Sequence, residues 1–415
     1  MTLPDDNDAR VRKLVQEMLA RPRNVDTFKP RPPRRLHVSA PIEGRHQIAA
    51  YLDWTPDVSK FKYADEWIHA SGAYSLDPLN LPLSEETFGI QENDGIPGFV
   101  ADAGPDAFGR RILFYTMPGS MGNPIVRVLA TAGRGVGAIR VTETNDICPP
   151  VSDAVEDDHL GIIEDACRSI GMSEGIPESL YTLLKDRCSG VGGARPKALL
   201  RLGGREVIAK FEWAELDYWN MPVVEAACLE VARQAGIDAV TGSLVQVNNR
   251  SALVIRRFDR REGAPLHYLS ARSALDAFGD AEFETLPPKG RATYAAIVSA
   301  ALRMGIENAG EVMFRRMVFN YAIGNTDDHL RNHGFLFDGA WRLAPAFDLV
   351  VIGGPAHSIG LGQDGLRRAM DNVLSRLGDF GMTRERARNV IDQVVDAARG
   401  LGVELDRLGM AKKHR

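Results

Sequence analysis

The pattern of hydrophobic and polar positions predicts mainly strands in the first third of the chain. Short apolar or alternating runs predict strands at 36–40, 47–52 and 61–68, of which the last alternates most clearly. A helix is predicted at 106–115 because Asp precedes its apolar positions. A glycine-rich turn then leads into a strand at 138–141. We therefore expect a small α/β or mostly β domain here.

Further along, the apolar positions recur mostly at helical spacing. Residues 221–236 predict a helix in which Pro222 suits the first turn and Gly236 the C-cap. Residues 309–324 predict a second helix, which would end just before Asp327. The remaining predicted elements are helices at 159–185, 292–304 and 383–400, strands at 198–202, 206–211, 243–247 and 252–255, and a hairpin of 335–337 with 341–344.

Length and local composition predict the domain boundaries. A chain of 415 residues suggests two or three domains. Its start has the pattern of an amphipathic helix at 5–20, followed by a linker rich in proline and arginine. The linker is either a solvated tether, which the composition favours, or a basic arm for a partner or nucleic acid. An acidic, proline-containing stretch at 146–158 marks a further boundary. The predicted divisions are 1–35, 36–150, 151–257 and 258–415.

The overall composition is that of a globular protein of a reducing compartment. Hydrophobic residues make up 44% and charged residues 25%, and the net charge of −5 argues against a general nucleic-acid binder. There is no secretory signal pattern and no apolar run of the length that a membrane span needs. We therefore expect a cytoplasmic protein without a membrane partner. The four cysteines form no C-x-x-C pair, which favours idle thiols over a disulfide scaffold or zinc site: Cys148, Cys167, Cys188 and Cys228.

The most informative stretch contains two acidic positions separated by the predicted hairpin. Asp327 is followed five residues later by Asn332, and Asp348 ends the sequence Leu-Ala-Pro-Ala-Phe-Asp. This layout is typical of phosphoryl transfer, in which one aspartate handles the attacking hydroxyl while an asparagine and a second aspartate hold Mg²⁺. The stretch therefore predicts Asp327 as the catalytic residue and Asn332 and Asp348 as metal ligands.

Other side chains in this stretch admit different interpretations. Asp328 would point away from its neighbour Asp327, so we predict that it is structural. His329 and His333 have a spacing that can chelate zinc on a helix. However, no H-E-x-x-H motif is present, and the oxygen of Asn332 suits Mg²⁺ better. The chain also lacks the G-x-S-x-G motif, which weakens a hydrolase interpretation.

A second stretch, at 189–197, supplies groups that suit phosphates. It is rich in small residues, ends in Lys197, and is followed by a hairpin whose second strand carries Lys210. Glycine amides can cradle phosphate oxygens, and a strand lysine can reach the phosphates. An ordinary hairpin turn is the equal alternative for the glycines. Glu225 or Glu230 could pair with Lys210, although the pattern slightly favours ordinary surface carboxylates.

With both stretches in view, the chain resembles the HipA-like serine/threonine kinases, which are toxins of bacterial toxin–antitoxin modules. The resemblance covers about residues 40–400 and is strongest in the last two motifs. It rests on Phe61-Lys62-Tyr63 with Trp67, Gly192-Gly193-Ala194-Arg195-Pro196-Lys197, Arg257-Phe258-Asp259-Arg260, Asn325-Thr326-Asp327-Asp328-His329 with Asn332-His333-Gly334-Phe335, and Leu343-Ala344-Pro345-Ala346-Phe347-Asp348.

The resemblance implies an α+β, two-lobed protein-kinase-like fold with an extra N-terminal β-rich subdomain and a mainly helical C-terminal lobe. It implies ATP with Mg²⁺ and transfer to a serine or threonine of a protein, such as an aminoacyl-tRNA synthetase. It also implies a small DNA-binding antitoxin as partner, and contact with DNA only through that partner. The roles of Asp327, Asn332 and Asp348 agree with it. The implied nucleotide-binding residues are Val191, Gly192, Gly193, Ala194, Arg195, Lys197, Lys210, Arg256 and Phe258.

The sequence departs from the family pattern in three places. The loop has Arg195-Pro196 where the best-known members have Gln-Glu, and Arg256 stands where a glutamate is usual. The serine by which members silence themselves falls at Gly190, with Ser189 as its neighbour. Two rival functions remain, namely a small-molecule kinase on the same fold and a non-catalytic ATP-binding regulatory protein.

Overall fold

The computed structural model describes residues 35–120, 122–147, 160–190, 193–213, 217–286 and 290–410. The predicted helix at 5–20 and most of the linker after it therefore lie outside the described residues, as does the boundary stretch from 148 onwards. Within the described ranges, no helix combines the length and the apolar character that a membrane crossing requires.

The N-terminal part is built on a five-stranded antiparallel sheet in the order β4-β3-β2-β1-β5. Leu36, Val38 and Ala40 alternate along β1 and are fully buried, which accounts for the predicted strand. The elements are strands β1 (Arg35–Ile42), β2 (Arg45–Asp53), β3 (Ser59–Tyr63), β4 (Thr87–Ile90) and β5 (Arg140–Thr142), and helices α1 (Asp65–Ile68), α2 (Glu92–Gly95), α3 (Gly98–Asp102), α4 (Ala107–Thr116) and α5 (Pro124–Ala130).

The predicted strand at 61–68 is wrong in its second half. Strand β3 ends at Tyr63, and Asp65–Ile68 forms one helical turn with two acidic residues at its start. Acidic side chains favour the positive N-terminal end of a helix, which works against continuing the strand. Trp67 is nevertheless fully buried, and its indole N–H donates to the carbonyl of Tyr74 at 3.1 Å. The alternation of apolar and polar residues at 61–68 therefore shows which side chains are buried. A helical turn can bury the side chain of Trp67 as well as a strand can.

The middle part contains a four-stranded antiparallel sheet in the order β6-β7-β9-β8. The predicted helix at 159–185 is two helices, because the chain turns at Ser173, which has a positive φ of 63°, and at Pro177. The elements are helices α6 (Leu160–Gly171), α7 (Tyr181–Cys188) and α8 (Met221–Gln234), and strands β6 (Lys197–Leu202), β7 (Arg205–Phe211), β8 (Gly242–Val247) and β9 (Arg250–Arg256).

The C-terminal part is mainly helical, as predicted. Its longer helices pack around a core that includes Phe314 and Phe319, both fully buried. A three-stranded sheet, β12-β13-β14, lies beside them. The elements are strands β10 (Arg260–Arg261), β11 (Ala264–Pro265), β12 (His267–Ser270), β13 (Gly334–Phe337) and β14 (Trp341–Leu343), and helices α9 (Ala271–Ala274), α10 (Tyr294–Arg303), α11 (Ala309–Ile323), α12 (Met370–Val373), α13 (Arg384–Arg399) and α14 (Leu401–Arg407).

The N-terminal part is anchored on the C-terminal part. The ring of Tyr74 stacks on Phe337, with centroids 4.1 Å apart. Asp102 accepts hydrogen bonds from the backbone N–H of Ser270 at 2.7 Å and from its hydroxyl at 2.8 Å. The stacked rings and the hydrogen-bonded polar groups are removed from water on both sides of the contact. They therefore hold the N-terminal part against strands β12 and β13.

The N-terminal part is also joined to the segment that follows β9. Asp259 accepts a hydrogen bond from the N–H of Gly137 at 2.6 Å, and Arg257 donates to the carbonyl of Gly135 at 2.8 Å. Arg257 and Asp259 themselves form a two-bond ion pair at 2.9 and 2.6 Å, with both side chains almost fully buried. The segment between the two lobes is therefore fixed against the N-terminal part.

Candidate active site

Lys210 lies at the centre of the candidate site, between two carboxylates. Its Nζ donates to Glu225 Oε1 at 2.6 Å and to Asp348 Oδ1 at 2.8 Å. Burial disfavours the charged ammonium group, but Asp348 and Glu225 outweigh that effect and raise the pKa of Lys210 above its usual value. The same lysine holds the pKa of Asp348 well below that of an ordinary aspartate. The lysine is therefore cationic and held in one place.

Strand periodicity aims Lys210 into the space between the lobes. Along β7, Val207, Ala209 and Phe211 are buried on one face of the sheet, so Lys210 projects from the other. The register places Lys197 of β6 directly opposite Lys210. The same alternation that predicted the strand therefore brings both lysines to one side of the sheet.

The interpretation of Glu225 as an ordinary surface carboxylate is wrong. Glu225 is buried in the second turn of α8, which begins with Asn220 as its side-chain cap. Glu230, the other candidate, instead pairs with Arg233 near the surface. Burial raises the pKa of Glu225 despite the opposing effect of Lys210. The sequence showed two glutamates but did not show which face of the helix meets the strand.

Asp348 reaches Lys210 from a backbone that is itself fixed. The residue has a positive φ of 57°, a left-handed conformation that is uncommon outside glycine and often marks functional positions. Just before it, the N–H of Ala346 donates to the carbonyl of Asp238 at 2.7 Å, and the N–H of Val240 donates to the carbonyl of Ala346 at 2.9 Å. The expected fixed approach to Asp348 is present.

Asp327 lies on the loop that follows helix α11. The helix ends at Gly324, whose φ of 73° provides a left-handed C-cap. The loop is then held because the N–H of Asn325 donates to the carbonyl of Asn320 at 2.9 Å, and the hydroxyl of Thr326 donates to the carbonyl of Gly353 at 2.9 Å. Asp327 is exposed, and its carboxylate makes no hydrogen bond within the described part of the chain. Its carboxylate is thus open to solvent, and its catalytic role stays a prediction.

Asp328 supports this loop from the inside, as predicted. It is 1% exposed and accepts hydrogen bonds from Asn320 at 2.9 Å, from His333 at 3.0 Å and from the hydroxyl of Tyr294. Burial works against its charge, but His333 and these hydrogen bonds keep the pKa of Asp328 below its usual value. The two neighbouring aspartates therefore differ in exposure and in surroundings.

Asn332 closes the same loop. It ends a short 3-10 turn, and its N–H donates to the carbonyl of His329 at 2.8 Å. Asn332 and Phe347, which precedes Asp348, line one small cavity of about 10 Å³. The amide oxygen of Asn332 and the carboxylate of Asp348 are hard oxygen ligands of the kind that Mg²⁺ takes from a protein when phosphates and water complete its shell. The donor atoms of both residues therefore suit Mg²⁺, and their sharing of one metal ion stays a prediction.

Only part of the predicted phosphate loop can be placed. Val191 and Gly192 lie outside the described residues, Ala194 is exposed, and Arg195 pairs with Asp217. Gly193 has a positive φ of 94°, and a Cβ there would come within 2.2 Å of the ammonium nitrogen of Lys197. The positive φ, more than the contact with the flexible end of Lys197, favours glycine at this position.

Lys197 extends the cluster around Lys210. It is 4% exposed, and burial, reinforced by the charge of Lys210, lowers the pKa of Lys197 to about 8. Asp348 and Glu225 act in the opposite direction but do not restore its ordinary pKa. Two lysines thus face two carboxylates beside the loop, so the charges of this cluster balance one another within the protein.

The predicted adenine-contacting segment is only partly available. The N–H groups of Arg256 and Arg257 donate to the carbonyls of Thr241 and Glu206 at 3.2 and 3.3 Å, and the Arg256 side chain is exposed. Phe258 stacks on Phe347 with centroids 5.2 Å apart, which links this segment to Asp348. An adenine contact by Arg256 or Phe258 stays a prediction.

Ser189 is an unsuitable self-silencing site in this conformation. Its side chain is 0% exposed, and its hydroxyl donates to the carbonyl of Lys185 in the last turn of α7. Beyond it, the loop is contacted by Asp106, which accepts a hydrogen bond from the N–H of Gly193 at 2.7 Å. In the sequence, Asp106 is recognisable only as the start of a helix, since nothing local distinguishes it from an ordinary cap.

Comparison with known proteins agrees with the fold and the motifs. The HipA N-terminal domain model matches residues 44–142, and the HipA-like C-terminal domain model matches residues 189–401. The chain is 25% identical over 213 residues to the "Putative kinase Y4dM" of Sinorhizobium fredii, covering 48% of this chain and 49% of that protein. It is 27% identical over 139 residues to a "Putative kinase" of Haemophilus influenzae, covering 31% of this chain and 40% of that protein. The chain therefore spans half or less of the length of these curated relatives.

A solved structure with the same fold is that of HipA from Shewanella oneidensis in complex with HipB and operator DNA. It superposes with a TM-score of 0.65 at 19% identity and covers 90% of both chains. The predicted α+β, two-lobed kinase-like fold is confirmed. Because the C-terminal domain model alone matches more than half of the residues, this chain belongs to the HipA-like family.

Proposed function

We propose that this protein is an ATP- and Mg²⁺-dependent kinase that phosphorylates serine or threonine in a protein substrate. The observation that carries the proposal is the position of Lys210, which bridges Glu225 and Asp348 at 2.6 and 2.8 Å. A strand lysine paired with a helix glutamate and placed beside a metal-binding aspartate is the arrangement that protein kinases use for phosphoryl transfer from ATP. A small-molecule kinase on the same fold would share this arrangement, so it supports phosphoryl transfer, and the acceptor is decided by the search for phosphorylated proteins described below.

Each residue has a task that follows from its surroundings. Glu225 keeps Lys210 extended towards the phosphates, Lys197 adds a second positive charge there, and the loop amides donate hydrogen bonds. Asn332 and Asp348 hold Mg²⁺. ATP with Mg²⁺ supplies the transferable phosphoryl group and shields its charge. Asp327, exposed at the end of α11, orients the acceptor hydroxyl and takes its proton.

The partners are part of the same proposal. The HipA of Shewanella oneidensis forms a complex with HipB and operator DNA, which supports a small DNA-binding antitoxin as a partner of this chain. The net charge of −5 agrees with contact to DNA only through such a partner. We place the protein in the cytoplasm and its substrate among the proteins of translation, with aminoacyl-tRNA synthetases as the first group to examine.

Mg²⁺-dependent ATP turnover by the purified protein tests the catalytic proposal. Asp327→Asn is expected to lower turnover at least 100-fold while ATP binding, measured by calorimetry, stays within threefold of wild type. Asp392→Asn is the matched control, since Asp392 is exposed on α13 in the same lobe and should behave as wild type. Turnover that survives Asp327→Asn would contradict the assigned role, and a wild-type protein that binds no ATP would contradict the kinase proposal itself.

A further inference from the structure

The loop that carries Gly193 is held by a residue from the N-terminal part of the chain. Asp106 Oδ2 accepts a hydrogen bond from the N–H of Gly193 at 2.7 Å, and the N–H of Phe108 donates to the carbonyl of Gly193 at 2.9 Å. The backbone of Gly193 is therefore fixed at both its N–H and its C=O, which belong to the two peptide groups that flank this residue. Both partners come from the start of α4, within the region that matches the HipA N-terminal domain model.

The hydrogen bond from Gly193 to Asp106 replaces the one that an aspartate at the start of a helix normally accepts from that helix. An aspartate before a helix usually accepts a hydrogen bond from the second or third N–H of that helix. Asp106 makes no such cap, although it occupies the position. The N–H of Phe108 is instead satisfied by Gly193, and the carboxylate of Asp106 is committed to the same residue. The helix end and the loop thus satisfy each other's polar groups across two domains.

The beginning of the loop packs against the same part of the chain. A Cβ on Gly109 of α4 would lie 2.2 Å from the carbonyl oxygen of Ser189, so the helix and the loop are in direct backbone contact. A Cβ on Gly190 would lie 2.7 Å from the backbone of Arg134. Glycine at both positions permits this approach. The N-terminal part therefore contacts the loop on both sides of Val191 and Gly192.

Charge keeps Asp106 suited to this role. Burial alone would raise its pKa, but the Gly193 N–H, Arg331 of the catalytic loop and Lys197 together hold the pKa of Asp106 below its usual value. An ionised carboxylate is a stronger acceptor for the Gly193 N–H than a neutral group. The carboxylate of Asp106 is thus stabilised by the positive charges of Lys197 from the loop and of Arg331 from the catalytic segment.

We infer that Asp106 is a positioning residue for ATP, through which the N-terminal domain sets the conformation of the phosphate loop. The inference rests on the proposed function for the identity of the ligand. With Asp106 in place, the loop backbone at Gly193 keeps one conformation, in which the N–H of Ala194 that follows it is held ready for phosphate oxygens. Without it, the loop must be ordered at the cost of nucleotide affinity. The N-terminal domain is then part of the nucleotide site rather than an appendage to it.

The test compares wild type, Asp106→Ala, Asp106→Asn and a control, Glu66→Ala, an exposed acidic residue of the same domain. Hydrogen exchange of the nucleotide-free protein follows the loop directly. We expect peptides covering 186–200 to exchange at least tenfold faster in Asp106→Ala than in wild type or the control. Asp106→Asn, whose side-chain oxygen still accepts a hydrogen bond, should lie between them. Exchange in Asp106→Ala equal to that of wild type would overturn the inference.

ATP turnover and binding then connect the loop to function. Asp106→Ala should raise the KM and Kd for ATP about tenfold while kcat changes less than twofold, and Asp106→Asn should restore most of the affinity. Unchanged affinity, or tighter binding in Asp106→Ala, would overturn the inference. If wild type binds no ATP, the proposed function fails, while the exchange experiment still decides whether Asp106 holds the loop. Should Asp106→Ala not fold, Asp106→Asn carries both comparisons, with about a threefold effect expected.

Discussion

The ammonium group of Lys210 lies 2.6 Å from the carboxylate of Glu225, across the contact between strand β7 and helix α8. This pair joins the sheet to the helix and aims the lysine at the space where Asp348 ends its own fixed segment. From this geometry we predict separate effects for Glu225 on the helix, for the metal ligand Asp348 and for the neighbouring Lys197.

Replacing Glu225 with glutamine removes the charge that holds Lys210 while keeping the shape of the side chain. We expect ATP turnover to fall about 10- to 100-fold, because Lys210 loses the partner that orients it. Thermal unfolding should show only a small loss of stability, because Lys210 keeps Asp348 as a charged partner and is not left unpaired. Glu230→Gln, on the outer side of the same helix, is the matched control and should leave turnover unchanged. Equal effects of the two changes would contradict the assigned pairing.

Asp348→Asn tests the metal ligand. We expect ATP binding in the absence of Mg²⁺ to be little changed and the additional affinity that Mg²⁺ gives to wild type to be largely lost. The physical reason is that an amide oxygen binds Mg²⁺ less strongly than a carboxylate. Calorimetric titration of ATP with and without Mg²⁺ measures the affinity for ATP alone and the additional affinity that Mg²⁺ gives. A full Mg²⁺ effect in the variant would show that Asp348 is not a ligand.

Lys197 should make nucleotide affinity depend on pH in a defined window. Burial lowers its pKa to about 8, so the folded protein loses this positive charge as the pH rises through 8, well before an ordinary lysine would. Affinity for ATP should therefore fall between pH 7 and 9. The free energy of unfolding should not fall for this reason, since between the two pKa values the unfolded chain binds more protons and the contribution of Lys197 to stability rises with pH.

The control for this titration is Lys197→Arg, because arginine stays charged throughout the range. The variant should bind ATP with an affinity that is flat between pH 7 and 9, whatever its absolute value. A step of the same size in wild type and Lys197→Arg would assign the titration to another group.

The buried pair of Arg257 and Asp259 is predicted to stabilise the connection between the lobes. Burial alone would raise the pKa of Asp259. The charges of Arg257 and Arg260 outweigh that effect, so the pKa of Asp259 lies well below its usual value. Its contribution to stability is therefore present above about pH 4 and is lost as the pH falls towards the folded-state pKa. Asp259→Asn should cost about 3 kcal/mol in the free energy of unfolding at pH 7, because it leaves Arg257 buried without its partner.

Asp338→Asn provides the comparison for that change. Asp338 pairs with Arg261 at 2.7 Å, but the arginine side chain is 66% exposed, so the loss should stay below about 1 kcal/mol. Denaturant unfolding of both variants at pH 7 measures the difference. Similar losses for the buried and the exposed pair would contradict the role given to burial.

The sequence allowed the elements and the main motifs to be predicted because their signals are local. The periodicity of residues 309–324 corresponds to helix α11 at Ala309–Ile323, and the hairpin before Asp348 is also present. The strand predicted at 61–68 was wrong after Tyr63, since alternation shows which residues are buried and not which backbone buries them. The structural role of Asp328 was predictable, whereas its partners were not.

The pairing of Glu225 and the role of Asp106 could not have been predicted from local signals. Whether Glu225 or Glu230 pairs with Lys210 depends on how α8 is rotated about its own axis against the sheet. The sequence alone is compatible with either rotation. Asp106 lies 87 residues from Gly193 in the sequence and has the position of a helix cap. Only the packing of two domains reveals that its carboxylate serves the loop.

Phosphoproteomics of cells expressing the wild-type chain, compared with cells expressing Asp327→Asn at the same level, is the most direct measurement of protein kinase activity. We expect new phosphoserine or phosphothreonine sites, concentrated in a few proteins of translation, in wild-type cells alone, with Asp392→Asn giving the same sites as wild type. The same set of sites in wild type and Asp327→Asn, or no new site in either while the purified protein turns over ATP, would contradict transfer to a protein by Asp327.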